Sequence, residues 1–171
     1  MDMRPDKNRY YLQIAKDASA RSTCLKRRYG AVLVKDDHII STGYNGAPRG
    51  AVNCLDIGCP RMNVPNNTEY STCRSVHAEA NAIIHGTYSD MIGSTLYLYG
   101  FDVQHETVVL NGEPCPMCKR MIINAQIEKV VVPDEQNTPK EMIVKDWTLP
   151  CAENLQNRKA ACGCEAMYLD P

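Results

Sequence analysis

Across residues 6–24 the apolar positions Tyr11, Ile14, Ala15 and Ala18 recur at spacings of three and four, with Lys and Arg on the other faces. That period predicts an amphipathic helix. Ala31-Val32-Leu33-Val34 is a continuous apolar run of strand length. Asp36-Asp37 marks a turn, and His38-Ile39-Ile40-Ser41-Thr42 returns as the second strand of a hairpin. Residues 43–72 are rich in Gly, Pro, Asn and Arg and carry no period. Loops of that length in a compact domain are usually functional or tied down by a metal.

A helical pattern returns over residues 76–85 and stops at Gly86. Residues 95–99 predict a strand, and residues 107–110 with Asn111-Gly112 a short ribbon and turn. A second helix over residues 115–124 leads into the strand Lys129-Val130-Val131-Val132, which Pro133 ends. Beyond about residue 134 the pattern reads as an irregular tail, in which residues 141–147 fit a last strand or a helix equally. Helices alternating with strands predict an α/β chain whose mixed sheet is sandwiched between helices. No repeat or linker divides the 171 residues, so a single domain is expected over residues 1–171.

Composition narrows the function. A formal net charge of −1 lacks the basic excess of a nucleic-acid binder. No run approaches the roughly 18 apolar residues of a membrane span. Met1-Asp2-Met3-Arg4-Pro5-Asp6 lacks the apolar core of a signal peptide, which makes the cytoplasm the expected compartment. Nine cysteines without an export signal favour metal binding over a disulfide framework.

The chemistry is concentrated in His77-Ala78-Glu79 and Pro114-Cys115-Pro116-Met117-Cys118. Alone, the first reads as an ordinary histidine and the second as a redox or structural pair. Together they supply one imidazole and two thiolates, leaving a fourth position on zinc for water. H-x-E joined to P-C-x-x-C is the pattern of zinc-dependent base deaminases, whose glutamate moves protons rather than binding metal. Zinc brings the pKa of its water towards neutrality, and Glu79 would pass the proton to the ring and then to the departing amine. Pro114 suits a helix start before Cys115, and a spacing of three puts Cys115 and Cys118 on one helical face.

Over residues 6–132 the chain resembles the cytidine and deoxycytidylate deaminase superfamily, most closely its deoxycytidylate (dCMP) branch. The likeness lies in Gly30-Ala31-Val32-Leu33-Val34, in Ile40-Ser41-Thr42-Gly43-Tyr44-Asn45-Gly46-Ala47-Pro48-Arg49-Gly50 and in His77-Ala78-Glu79-Ala80-Asn81-Ala82-Ile83. The resemblance implies a three-layer α-β-α cytidine-deaminase-like fold and hydrolysis of dCMP to dUMP with release of ammonia, feeding thymidylate synthesis. It implies a homo-oligomer, commonly a hexamer, activated by dCTP and inhibited by dTTP, with Mg2+ accompanying the triphosphate effector. It assigns zinc to His77, Cys115 and Cys118, the proton shuttle to Glu79, and substrate contacts to Asn45 and Ala78. Arg49, in the same loop as Asn45, is a candidate phosphate or effector contact because a guanidinium matches phosphate oxygens. Cys24 and Cys54 match positions that hold a second, structural zinc in some relatives. Cys59 and Cys73 would complete a closed four-thiolate site able to order a loop without its own apolar pattern.

The chain departs from the family pattern in residues 100–113, an extra stretch expected to form a ribbon near the site or at a subunit contact. Cys151, Cys162 and Cys164 match nothing in the family and read as free thiols. Three rival readings remain at this level. A nucleic-acid deaminase of the tRNA adenosine type shares both motifs but calls for a basic surface. A non-catalytic zinc module has no use for Glu79. Another small cytosine nucleotide, such as dCTP, could be the substrate.

Overall fold

Side chains that alternate along three strands set the layers of this chain. The computed structural model describes residues 4–64 and 70–147. Helix α1 (Lys7–Ser19) is capped by the Asp6 carboxylate, which accepts the Arg9 N–H at 2.9 Å. Strands β1 (Arg27–Lys35) and β2 (His38–Tyr44) form the hairpin, turning through Asp36 and Asp37, both at positive φ. The one-turn helix α2 (Cys54–Ile57) lies in the long loop. Helices α3 (Ala78–His85) and α4 (Tyr88–Met91) precede β3 (Thr95–Asp102) and the short β4 (Thr107–Val108). Helix α5 (Pro116–Asn124), β5 (Lys129–Pro133) and β6 (Pro139–Ile143) follow. The sheet runs β2-β1-β3-β5-β6, with β4 paired to the end of β3; β3 and β5 are parallel and the other pairs antiparallel.

Val32, Val34, Tyr97, Tyr99 and Val131 pack against Tyr11, Leu12 and Ala15 of α1. Their chain neighbours Ala31, Leu33, Leu96, Leu98, Val130 and Val132 pack on the opposite face against Ala78 and Ala82 of α3 and Ile122 of α5. Strands covered on both faces read as unbroken apolar runs, which is why their sequence shows no polar alternation. The expected three-layer α-β-α arrangement with a mixed sheet is the observed one. Each fully buried Leu, Ile or Val contributes about 1.5–3 kcal/mol of transfer free energy. The layer holding α3 and α5 to the sheet is therefore the firm footing of everything at their N-termini.

Close approach explains Gly43. A Cβ there would stand 2.3 Å from the Ala78 oxygen and 2.4 Å from the Ala82 nitrogen, backbone atoms that cannot give way. Ser41 Oγ donating to the Ala82 oxygen (2.7 Å) and Asn81 Nδ2 to the Tyr44 oxygen (2.7 Å) pin α3 on β2 beside it. Gly43→Ala is expected to destabilise the fold by about 1–3 kcal/mol, as overpacking does. It should also weaken metal retention, because α3 moves; a lowered melting midpoint with reduced metal content would show both.

Several boundaries differ from the sequence expectation. α1 stops at Ser19 instead of continuing to Cys24, because the Ser22 hydroxyl accepts the Cys24 N–H and donates to Asn45 Oδ1, an alternative to helical bonding. β1 starts at Arg27 instead of Ala31, and β3 runs on to Asp102. Between Pro133 and Trp147 the chain is not irregular. Asp134 accepts from the Gln136 and Thr138 N–H groups and the Thr138 hydroxyl, Asn137 takes positive φ, and the reversal delivers edge strand β6 and a 3-10 turn over Val144–Asp146. β6 is an edge strand with exposed Lys140 and Glu141, so it lacks the apolar signal of a buried one. Residues 100–113 do form a ribbon, through the β3–β4 pairing. Cys151, Cys162 and Cys164 lie outside the described residues.

Candidate active site

Two helix N-termini meet on one face of the sheet. His77 is the residue before α3 and Cys115 the residue before α5, each with extended backbone (φ −72, ψ 154 and φ −65, ψ 163). Pro116, rather than Pro114, occupies the first turn of α5, where its missing N–H costs nothing. Cys118 follows one turn in and is buried. Orphan backbone N–H groups and the helix dipole at both termini favour thiolates there.

His77 Nδ1 lies 3.5 Å from the Cys115 sulfur and 3.5 Å from the Cys118 sulfur. All three ligand atoms fall within 4.8 Å of one another, and no other such group occurs among the described residues. Tetrahedral zinc with ordinary bond lengths places its nitrogen and sulfur ligands about 3.5–3.6 Å apart. The donor set therefore fits the ion in both type and spacing. Electrostatics agree. Hydrogen bonding from Cys118 and His77 lowers the Cys115 thiol to about 3, whereas the bond to Cys115 and burial push Cys118 strongly upward. Two adjacent sulfurs share a proton until a divalent cation allows both to ionise.

Glu79 lies in the first turn of α3, only 5% exposed, with its carboxyl against the Cys118 thiol. Burial raises its pKa above the ordinary glutamate value. His77, Ala78, Glu79 and Cys115 border a cavity of about 130 Å³ whose other walls include Lys26, Arg27, Tyr29, Asn45 and Arg61. The bridge between Gly46 and Val76 (2.8 and 3.2 Å) ties the loop after β2 to the segment entering α3.

The remaining expected site residues fare differently. Asn45, 6% exposed, reaches the cavity, but most of its side chain is engaged. Oδ1 accepts from the Tyr29 N–H (2.7 Å) and the Ser22 hydroxyl (2.7 Å), and Nδ2 donates to the Arg27 oxygen (2.9 Å). One N–H is left to face a ligand. Arg49 is exposed and does not border the cavity. Cys24, Cys59 and Cys73 border it, and buried Cys54 stands behind them. Burial raises the Cys54 thiol, and Cys59, Cys24 and Cys73 add to that rise, so the four sulfurs are electrostatic neighbours. They are spaced more widely than the His77 group, since no three of them come within 4.8 Å.

Sequence reasoning did not pick out Lys26, Arg27, Arg61 or Glu113 as cavity residues. The available signal was strand parity: had β1 been started at Arg27, then Arg27, Tyr29, Ala31 and Leu33 would have shared the α3 side of the sheet.

Comparison with known proteins agrees with this geometry. The family model described as the cytidine and deoxycytidylate deaminase zinc-binding region matches residues 5–133. A deoxycytidylate deaminase of Mycobacterium phage D29 is 42% identical over 139 residues, covering 77% of this chain and 98% of the phage protein. That of Saccharomyces cerevisiae is 37% identical over 129 residues, 75% of this chain but only 38% of the longer yeast protein. Among solved structures, the dCMP deaminase of cyanophage S-TIM5 in complex with dCMP and dUMP aligns with a TM-score of 0.54 at 28% identity, over 76% of this chain and 82% of the phage chain.

Proposed function

Because the chain belongs to the cytidine and deoxycytidylate deaminase zinc-binding family, we propose that it hydrolyses dCMP to dUMP and ammonia. The observation that carries this reading is the nitrogen–sulfur spacing of 3.5 Å at His77, with the buried Glu79 carboxyl one helical step away in a cavity walled by cations. When bound, zinc on His77, Cys115 and Cys118 supplies the Lewis acidity that makes hydroxide available near neutral pH. Glu79 takes the proton of the attacking water as it adds to C4 of the cytosine. It gives that proton to ring N3, then takes the proton of the new C4 hydroxyl and passes it to the amine, so that the C4–N bond breaks and ammonia leaves as the C4 carbonyl forms. A carboxyl whose pKa is raised by burial suits both directions of transfer near neutrality. Ala78 borders the cavity, and its N–H is one of the donors that the first turn of α3 leaves free, placed to hold the ring carbonyl. Asn45 turns its remaining N–H to the sugar.

The family likeness also supports a homo-oligomer, as a hexamer, activated by dCTP with Mg2+ and inhibited by dTTP. Arg49, exposed on the loop, is assigned to such a phosphate-bearing effector rather than to the substrate cavity. No helix among the described residues is long and apolar enough to cross a membrane. Ammonia release across cytosine nucleosides, mono- and triphosphates and a tRNA anticodon stem, with and without dCTP and dTTP, tests the reading. The monophosphate should be turned over fastest, and a preference for the RNA or for dCTP would replace it.

A second, structural zinc on Cys24, Cys54, Cys59 and Cys73 belongs to the same proposal. Its support is the mutual influence of those thiols around buried Cys54, and a metal there would draw their sulfurs together. Elemental analysis should find about two zinc ions per chain, falling towards one in Cys54→Ser. A count near one in the unaltered protein removes this site.

A further inference from the structure

The basic triplet Lys26-Arg27-Arg28 has three separate fates. Arg28 falls on the α1 side of β1 with Gly30 and Val32. Lys26 is buried, and its Nζ donates to the carbonyls of Arg61 (3.0 Å) and Val64, so its charge serves the long loop. Arg27 lies on the α3 and α5 side and borders the cavity that contains His77 and Glu79. Its Nε donates to Asp102 Oδ2 at 3.2 Å, from the residue directly opposite it across β1 and β3. A guanidinium carries five N–H donors. With Nε engaged, the four on its terminal nitrogens have no further partner among the described residues.

Asp102 is itself tightly placed. It is 6% exposed, and its Oδ1 accepts the N–H groups of Gln104 and His105 (3.1 Å each) and meets His105 Nδ1 at 3.0 Å. The Val103 N–H donates to the Lys26 oxygen at 2.8 Å, tying this turn back to β1. Burial works to raise the pKa of Asp102, but the bonds from His105 and Arg27 outweigh it and keep the carboxylate ionised. These contacts come from the end of β3 and the turn that follows it, beyond the strand end the sequence predicts.

We propose that Asp102 is a positioning residue that holds the Arg27 guanidinium so its terminal nitrogens grip the 5′-phosphate of the substrate. The strand extension thereby becomes a determinant of selectivity for phosphorylated over unphosphorylated nucleosides. This rests on the nucleotide reading above. A planar fork binds phosphate through two parallel hydrogen bonds only when its plane is fixed, and a carboxylate on the Nε edge fixes it while leaving the other edge open. Ordering the arginine beforehand spares that cost at binding. The other acidic group beside the cavity besides Glu79, Glu113, is paired to Lys119 at 2.6 Å, so it offers the phosphate little repulsion.

Asp102→Asn keeps an oxygen for the Gln104 and His105 N–H groups but cannot accept from Arg27 if its amide nitrogen turns that way. Expected is a rise in KM for dCMP of about ten- to a hundredfold with kcat changed little, and a matching loss of dUMP affinity by calorimetry. Arg27→Gln should do at least as much, and the double variant no more than Arg27→Gln alone. A fall in kcat at constant KM, unchanged dUMP affinity, or effects that multiply in the double variant would overturn the proposal. The dUMP titration separates the two readings. Tight dUMP binding that Asp102→Asn weakens, without any ammonia from dCMP, refutes the deamination reading alone. No dUMP binding by the unaltered chain refutes both.

Discussion

Glu79→Ala is expected to lower turnover of dCMP by at least about two to four decades while zinc content stays at the unaltered level. The carboxyl is a neighbour of the metal group and not one of its expected ligands, so the His77 nitrogen and the two sulfurs, each 3.5 Å from it, keep their places. Removing it should not weaken the fold. A nearly buried carboxyl whose pKa is raised by desolvation opposes folding, and its loss leaves the melting midpoint equal or higher. Stopped-assay ammonia release, elemental analysis and a thermal melt on one preparation check all three parts. A variant keeping most of its rate shows that the proton path lies elsewhere.

Cys118→Ala should have the opposite signature: zinc, activity and stability fall together. The sulfur is buried at the first turn of α5, within ligand distance of the His77 and Cys115 donors. Two remaining ligands make a poor zinc site, and metal binding free energy is also folding free energy for the elements it joins. The joined elements here are the N-termini of α3 and α5, whose helices share one apolar cluster. Cys118→Ala should therefore lack turnover, keep little zinc at this centre after dialysis and melt at a lower temperature. The contrast with Glu79→Ala, inactive yet metal-loaded, separates proton transfer from metal holding. Turnover by zinc-depleted Cys118→Ala protein would contradict the assigned chemistry.

What could be read in advance divides along physical lines. His77, Glu79, Cys115 and Cys118 were legible because their geometry is local: each pair lies within one turn of one helix, and spacing fixes which face they share. The central strands were legible because Ala31 to Val34 and Val130 to Val132 are buried from both sides. β6 was not, since an edge strand bearing Lys140 and Glu141 has no apolar run to betray it. Arg27 and Asp102 escaped for a different reason. Their pairing is a register fact between strands 75 residues apart, and the polar start of β1 hides that the strand has begun. Asn45, read as a sugar contact, does border the cavity, but its bonds to Ser22, Tyr29 and Arg27 are long-range and make it as much a brace of β1 as a cavity-facing group. Arg49 was chosen by residue type alone, and the loop carries it out to solvent.

Zinc-edge X-ray absorption on the Cys54→Ser protein, with any second site thereby disabled, tests the metal centre most directly. Two sulfurs at about 2.3 Å together with two nitrogen or oxygen neighbours at about 2.0–2.1 Å are predicted, one of the latter exchanging when a cytosine nucleotide is added. A spectrum showing three or four sulfurs, or a shell closed to the nucleotide, would contradict the account.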